Sequence, residues 1–207
     1  TGVDILIKGG WEGTNSPGSN NPALWPTVVE RDPSDENRLL YVESATGILE
    51  NITFQNGLII SSPYLGGGIL ASNATLTFKT CEILGNAITG IVSALTLKGG
   101  GLFAAQCDVV FSNSVIAGNK VISINQQNTE WGGGCMFEGG TAELVNTIVS
   151  NNLAKGKGAT AGGTQDYAYG GGIAAKAAVT VSNCVFVANT ISGTSGSADK
   201  TYAYGGG

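Results

Sequence analysis

Apolar residues along this chain come in short bursts, never in a long helical face. After Gly66, Gly67 and Gly68 the bursts are Ile69 to Ala71, Ala74 to Phe78, and Cys81 to Leu84 closing on Gly85 and Asn86. After Gly99 they are Leu102 to Ala104, Val109 to Phe111, and Asn113 to Ile116 closing on Asn119. The same order returns as Asn146 to Val149 with Asn152, and as Asn183 to Phe186 with Asn189. Each burst alternates β-branched or aromatic residues with polar ones, and none sustains a period of 3.6, so strands of about 4 to 5 residues are predicted and helical repeats are disfavoured.

The bursts are themselves periodic. Glycine triplets begin at Gly66, Gly99, Gly132, Gly170 and Gly205, at intervals of 33, 33, 38 and 35. A period of this size marks a solenoid, a propeller or a helical array. About three short strands per unit fall short of the four in a propeller blade and fit one coil of a parallel β-helix, in which equivalent residues stack about 4.8 Å apart. Asparagines keep the same beat: Asn86, Asn119, Asn152 and Asn189 form one series, and Asn113, Asn146 and Asn183 another. Surface turns would explain them individually. Their fixed offsets instead favour a buried ladder for at least one series, each amide bonding turn backbone and its copy one coil away, because an unpaired buried amide costs about 1 to 3 kcal/mol. The triplets are read as turns needing positive φ or close backbone approach. They lack the Lys and Ser/Thr of a phosphate-binding loop.

Composition sharpens this picture by exclusion. Glycine makes up 33 of 207 residues, yet with 5 prolines and no triplet period the chain is not collagen-like. At 42% hydrophobic residues and a mean hydropathy of +0.15 it is not a disordered chain. No apolar run approaches the roughly 20 residues of a membrane-spanning helix. The net charge of −5, with scattered cations, argues against a nucleic-acid partner. With no histidine, Ser-His-Asp and Cys-His catalytic sets and histidine zinc sites are excluded, and no metal or cofactor is called for. Cys81, Cys107, Cys135 and Cys184 form no close pair; either two disulfides or free core thiols fit the spacing.

Residues 1–45 differ from the rest. They hold Arg31 and Arg38, Trp11 and Trp25, and four of the five prolines, and are read as an irregular N-terminal cap, since the terminal units of a solenoid must cover its open core. Residues 46–207 carry the repeats, and the chain stops on a fifth triplet, where a further coil is expected to begin. The segments Ile7 to Gly13 and Leu49 to Gly57, and the recurring Gly-Gly-Gly and Asn-Cys-x-Phe-x-x-Asn patterns, resemble secreted bacterial right-handed β-helix proteins, in particular those with polymorphic outer-membrane-protein repeats. Ile83, Ile116 and Val149 stand where that pattern has Phe, as an inward apolar column tolerates. The expected fold is therefore an all-β, right-handed, single-stranded parallel β-helix of five to six coils. The resemblance implies an extracellular or cell-surface location. It covers adhesins and autotransporter passengers as well as polysaccharide-active enzymes.

Function is expected on the segments before each triplet: Ala87 to Lys98, Lys120 to Trp131, Leu153 to Tyr169 and Thr190 to Tyr204, read as loops on one face outside a coil body of about 21 residues. Tyr64, Trp131, Tyr167, Tyr169, Tyr202 and Tyr204 lie just ahead of triplets. The plainer reading is that these rings stack on one another and shield the glycine turns; the sharper one is an aromatic strip that holds sugar rings. The expected role is structural or adhesive, with a glycan, a host surface or a neighbouring copy as partner. A polysaccharide lyase or glycoside hydrolase is the enzymatic alternative, for which Asp108, Glu138, Glu143, Asp166 and Asp199 are the carboxylates to watch. A third reading is a filament subunit that associates end to end through uncovered edge strands. The sequons at Asn51 and Asn73 carry little weight, because a glycan at Asn51 would contradict the fold.

Overall fold

A computed structural model describes residues 3–14, 18–92, 95–125, 128–157, 166–193 and 201–204. It is a parallel β-solenoid, and among the described residues there is no helix, hence none long and apolar enough to cross a membrane. Four parallel sheets run along it. A nine-stranded sheet contains Ile69–Ser72, Thr75–Lys79, Leu102–Ser112 and Cys135–Val145; a six-stranded sheet contains Glu82–Leu84, Val115–Ala117 and Ile148–Ser150. A five-stranded sheet holds Ala87–Gly90, Lys120–Ser123 and Leu153–Gly156, and a four-stranded sheet Thr96–Lys98, Thr129–Trp131 and Asp166–Tyr169. About four turns are complete, fewer than the five to six expected, because the four-stranded sheet starts only at Thr96 while the six-stranded one already includes Thr27–Glu30.

The stacking register follows the sequence period: Leu102 pairs with Ile69 on one side and Cys135 on the other. Inward columns therefore consist of like residues, such as Ile83, Ile116 and Val149, or Phe78 and Phe111, whose rings stack at 4.7 Å. All five of these side chains are fully buried. Burial of this kind contributes about 1.5 to 3 kcal/mol per side chain. The cysteines join the columns as free thiols. Cys81, Ser114, Thr147 and Cys184 occupy one turn position on successive rungs. There the Cys81 N–H donates to Ser114 Oγ at 3.1 Å, and the Thr147 N–H to Cys184 Sγ at 3.3 Å. A thiol and a hydroxyl serve equally here, since each accepts from the rung below and donates to a carbonyl.

The segments expected to be loops before each triplet are instead largely strands. The five- and four-stranded sheets face each other across a second, smaller core of Ile59, Tyr64, Ile88, Leu97 and Val121, separate from the main one. Each coil thus has a body and an outer lobe, and the chain pinches to a waist between them. The pinch explains the glycines. At Gly99 the φ is +71°; a Cβ on Gly100 would lie 2.3 Å from Gly133 O and 2.5 Å from Lys120 O, and one on Gly101 would lie 3.0 Å from Asn119 Cγ. Triplet and asparagine are two sides of one device.

On the asparagine side, Asn119 is completely buried and fully bonded. Its Nδ2 donates to Ile83 O at 2.8 Å and Asn152 Oδ1 at 3.0 Å, while its Oδ1 accepts from the N–H and the Nδ2 of Asn86, both at 3.0 Å. Asn152 repeats the pattern, Asn86 takes the Gly57 N–H at its Oδ1 and donates to Phe54 O, and Asn189 accepts from Asn152 and donates to Val149 O. The second series differs. Asn113, Asn146 and Asn183 are exposed turn residues with φ of 51°, bonded to one another along the surface. Asn51 and Asn73, the sequon residues, sit at turns of the same left-handed kind, with φ of 56° and 49°.

At the N-terminal end Val3–Lys8 pairs with Ala45–Glu50, and residues 31–38 strap the first rung of the lobe. Glu36 Oε1 accepts from the N–H groups of Ile60 and Ser61, and Arg38 Nη2 donates to Leu65 O. These groups stand in for the missing neighbouring coil. The body end is less covered: Ile5 and Ile7 are about half exposed over an apolar hollow of about 220 Å³, lined also by Leu40, Val42 and Leu49.

Candidate functional site: the glycine corner

Where each triplet turns the chain from the four-stranded sheet into the nine-stranded one, the outer surface folds inward. Side chains there are buried on the outward side of their strands. Phe103 and Met136 alternate with the core residues Leu102, Ala104, Cys135 and Phe137, so they point outward from the body, yet they are 4% and 0% exposed. Ala174 continues their column at 6%. They are covered by the outward residues of the four-stranded sheet, which lean across the corner. The result is a third apolar cluster outside both cores: Phe103, Met136 and Ala174 form its floor, and Leu65, Leu70, Ala105, Trp131 and Tyr169 pack against it.

Alternation decides which aromatic residues reach this corner. Trp131 pairs with Tyr169, both point outward and are half-buried, and their rings stack with centroids 3.9 Å apart and planes 10° apart. Tyr167, two residues before Tyr169 on the same face, lies 6.3 Å away ring to ring. Tyr64 does not join them. Leu65, not Tyr64, bridges to Lys98, which turns Tyr64 inward, where it is 7% exposed in the core of the lobe. Tyr202 and Tyr204 align with Tyr167 and Tyr169 through the backbone of Thr201–Tyr204; their side chains lie outside the described residues.

A charged rim crosses the cluster. Glu138 accepts from Lys98 Nζ at one oxygen and from Lys176 Nζ, 3.5 Å away, at the other. Each ammonium also lies over a ring: Lys98 is 5.3 Å from the centroid of Phe103, and Lys176 is 4.5 Å from that of Trp131. Burial by itself would push the Glu138 carboxyl up, but the hydrogen bond and charge of Lys98, with those of Lys176, outweigh it and hold the group below the usual carboxylate range. The chain matches no known family model, no curated protein and no solved structure.

The carboxylates do not converge. Asp108 is exposed and accepts from the N–H and hydroxyl of Thr141, Glu138 belongs to the corner, and Glu143 lies on the outer face of the long sheet. The side chain of Asp166 and all of Asp199 lie outside the described residues. Among the described residues no three His, Cys, Asp or Glu side chains are grouped to hold a metal ion. The Lys98 contact went unseen in the sequence because it crosses the corner at a separation of 40 residues, out of step with the coil period, and the Lys176 contact, at 38, because it falls in the lengthened coil, where Phe137 and Ala175, the residues just before Glu138 and Lys176, are paired. The periodic position of Trp131 before a triplet was the one available signal. Glu130 escaped notice too: it is fully buried in the lobe, on the inward column between Leu97 and Ala168.

Proposed function

We propose that this chain is a rigid structural and adhesive solenoid, displayed outside the cell, whose glycine corner makes contact with a glycan. The observation that carries the reading is the half-buried Trp131–Tyr169 stack, set on an outward apolar floor and edged by charged groups. Sugar sites combine an aromatic platform with a few polar groups at the rim, on elements that do not move. The scaffold supplies that rigidity, since the ladder and the triplets fix every rung at the waist. The extracellular setting rests on the resemblance of the repeats to those of secreted bacterial β-helix proteins.

The test is binding of oligosaccharides to the intact chain, followed by tryptophan fluorescence and by saturation-transfer NMR. Trp131→Ala and Tyr169→Ala are expected to abolish binding while the far-ultraviolet β signal persists. A glycan that still binds both variants with unchanged affinity refutes the assignment of the corner. If the two substitutions lower only the melting temperature, and the parent chain binds no glycan tested, the rings serve to shield the corner.

A further inference from the structure

Resting on the reading of the corner as a glycan site, we infer that its ligand is acidic, a uronate-bearing chain whose carboxylate is taken by Lys98 and Lys176. Charge sets the corner apart from the rest of the chain. The chain carries −5 overall, but the three ionic groups at the corner sum to +1. Two ammonium groups share a single carboxylate, and that carboxylate belongs to the protein. Glu138 thus shows the group these lysines accept and occupies the position a ligand carboxylate would compete for.

The lysines are placed differently. Both ammonium groups lie over a ring, but the Lys98 side chain is 18% exposed while that of Lys176 is 48% exposed with its Nζ 3.5 Å from Glu138, so Lys176 is the partner that a second anion can reach. Beside it lie the half-buried rings of Trp131 and Tyr169. A pyranose seated on that apolar surface would bring a carboxylate on its ring within reach of the Lys176 ammonium. A neutral sugar gains the ring contact alone.

This arrangement predicts effects of opposite sign from two substitutions in contact with each other. In titration calorimetry on the intact chain, an oligogalacturonate is expected to bind more tightly than a cello-oligosaccharide of equal length, and its advantage to fade as salt rises. Glu138→Gln removes the competing carboxylate and should strengthen uronate binding roughly three- to fivefold, while Lys176→Gln should weaken it by a similar factor, each in the range of one partly exposed ion pair. The ratio of uronate to cello-oligosaccharide affinity should therefore rise in Glu138→Gln and fall in Lys176→Gln. The inference is overturned if both variants shift uronate affinity in the same direction, or if the uronate binds no better than the neutral chain. In the latter case the corner remains a glycan site without charge selection. If neither oligosaccharide binds, the glycan reading falls and this inference with it.

Discussion

Removing the Asn119 side chain tests the waist directly. Asn119→Ala deletes four side-chain hydrogen bonds in a place water does not reach. Two donors are left without acceptors, the backbone N–H of Asn86 and one hydrogen of its Nδ2, and Ile83 O loses the amide that reached it. Asn152 Oδ1 keeps a partner, because the backbone N–H of Asn119 still donates to it. At about 1 to 3 kcal/mol for each orphaned buried donor, the expected loss is roughly 2 to 6 kcal/mol. Asn113→Ala is the comparison: it removes an exposed amide contact and strains a left-handed residue, for about 1 kcal/mol. Asn119→Asp should cost at least as much as the alanine, since its second oxygen would face Ile83 O and Asn152 Oδ1. Urea unfolding followed by circular dichroism gives the stabilities, and hydrogen exchange at the Asn86 amide gives a local reading, with faster exchange expected. An Asn119→Ala variant no less stable than Asn113→Ala, with Asn86 exchange unchanged, would show that the ladder does not hold the waist.

Three further outcomes are expected. Gly100→Ala places a Cβ 2.3 and 2.5 Å from two carbonyl oxygens and should prevent a stable fold, whereas Gly118→Ala, whose nearest neighbour is at 3.8 Å, should cost only the roughly 1 kcal/mol of a left-handed alanine; thermal melts of both check this. In the turn column, Ser114→Cys should stay within about 1 kcal/mol of the parent, while Ser114→Val leaves the Cys81 N–H without an acceptor and should cost about 1 to 3 kcal/mol in urea unfolding. Complete burial pushes the Cys135 thiol up. The folded chain then holds its proton after the unfolded chain has released it, so the stability from this group is full below the ordinary thiol value and declines as pH rises past it. Urea midpoints across alkaline pH should fall, and less steeply in Cys135→Val.

The body of the coil was legible in the sequence because its signals are both strong and repeated. Asn86, Asn119 and Asn152 recur at 33 residues, and residues such as Ile83, Ile116 and Val149 mark the inward face. The outer lobe was not legible as sheet. Its strands run to two to four residues, and its narrow interior mixes the large apolar Ile88, Leu97 and Val121 with Gly90, Ser123, Ala154 and Gly156, which blurs the apolar alternation. One of its inward positions is Glu130, which reads as a surface residue to any hydropathy pattern. Tyr64 misled for a related reason: in a strand a single-residue offset reverses the face, and proximity to a triplet does not fix that offset. The corner became visible only when the rungs were stacked, since Glu138 meets lysines from two other coils.

The waist separates what must be conserved in geometry from what is at liberty to drift. The one long interval between described triplets, from Gly132 to Gly170, gains its length within the lobe segment Leu153 to Tyr169, and the pairing on either side is undisturbed: Trp131 still meets Tyr169 and Leu153 still meets Thr190. Each rung is closed by its own amide and glycines before the lobe begins. Added residues are therefore confined to the compartment where they arise. A chain built this way can lengthen, shorten or re-edge its outer surface coil by coil, and a grafted segment between the two lobe strands of any rung should leave the spine in register.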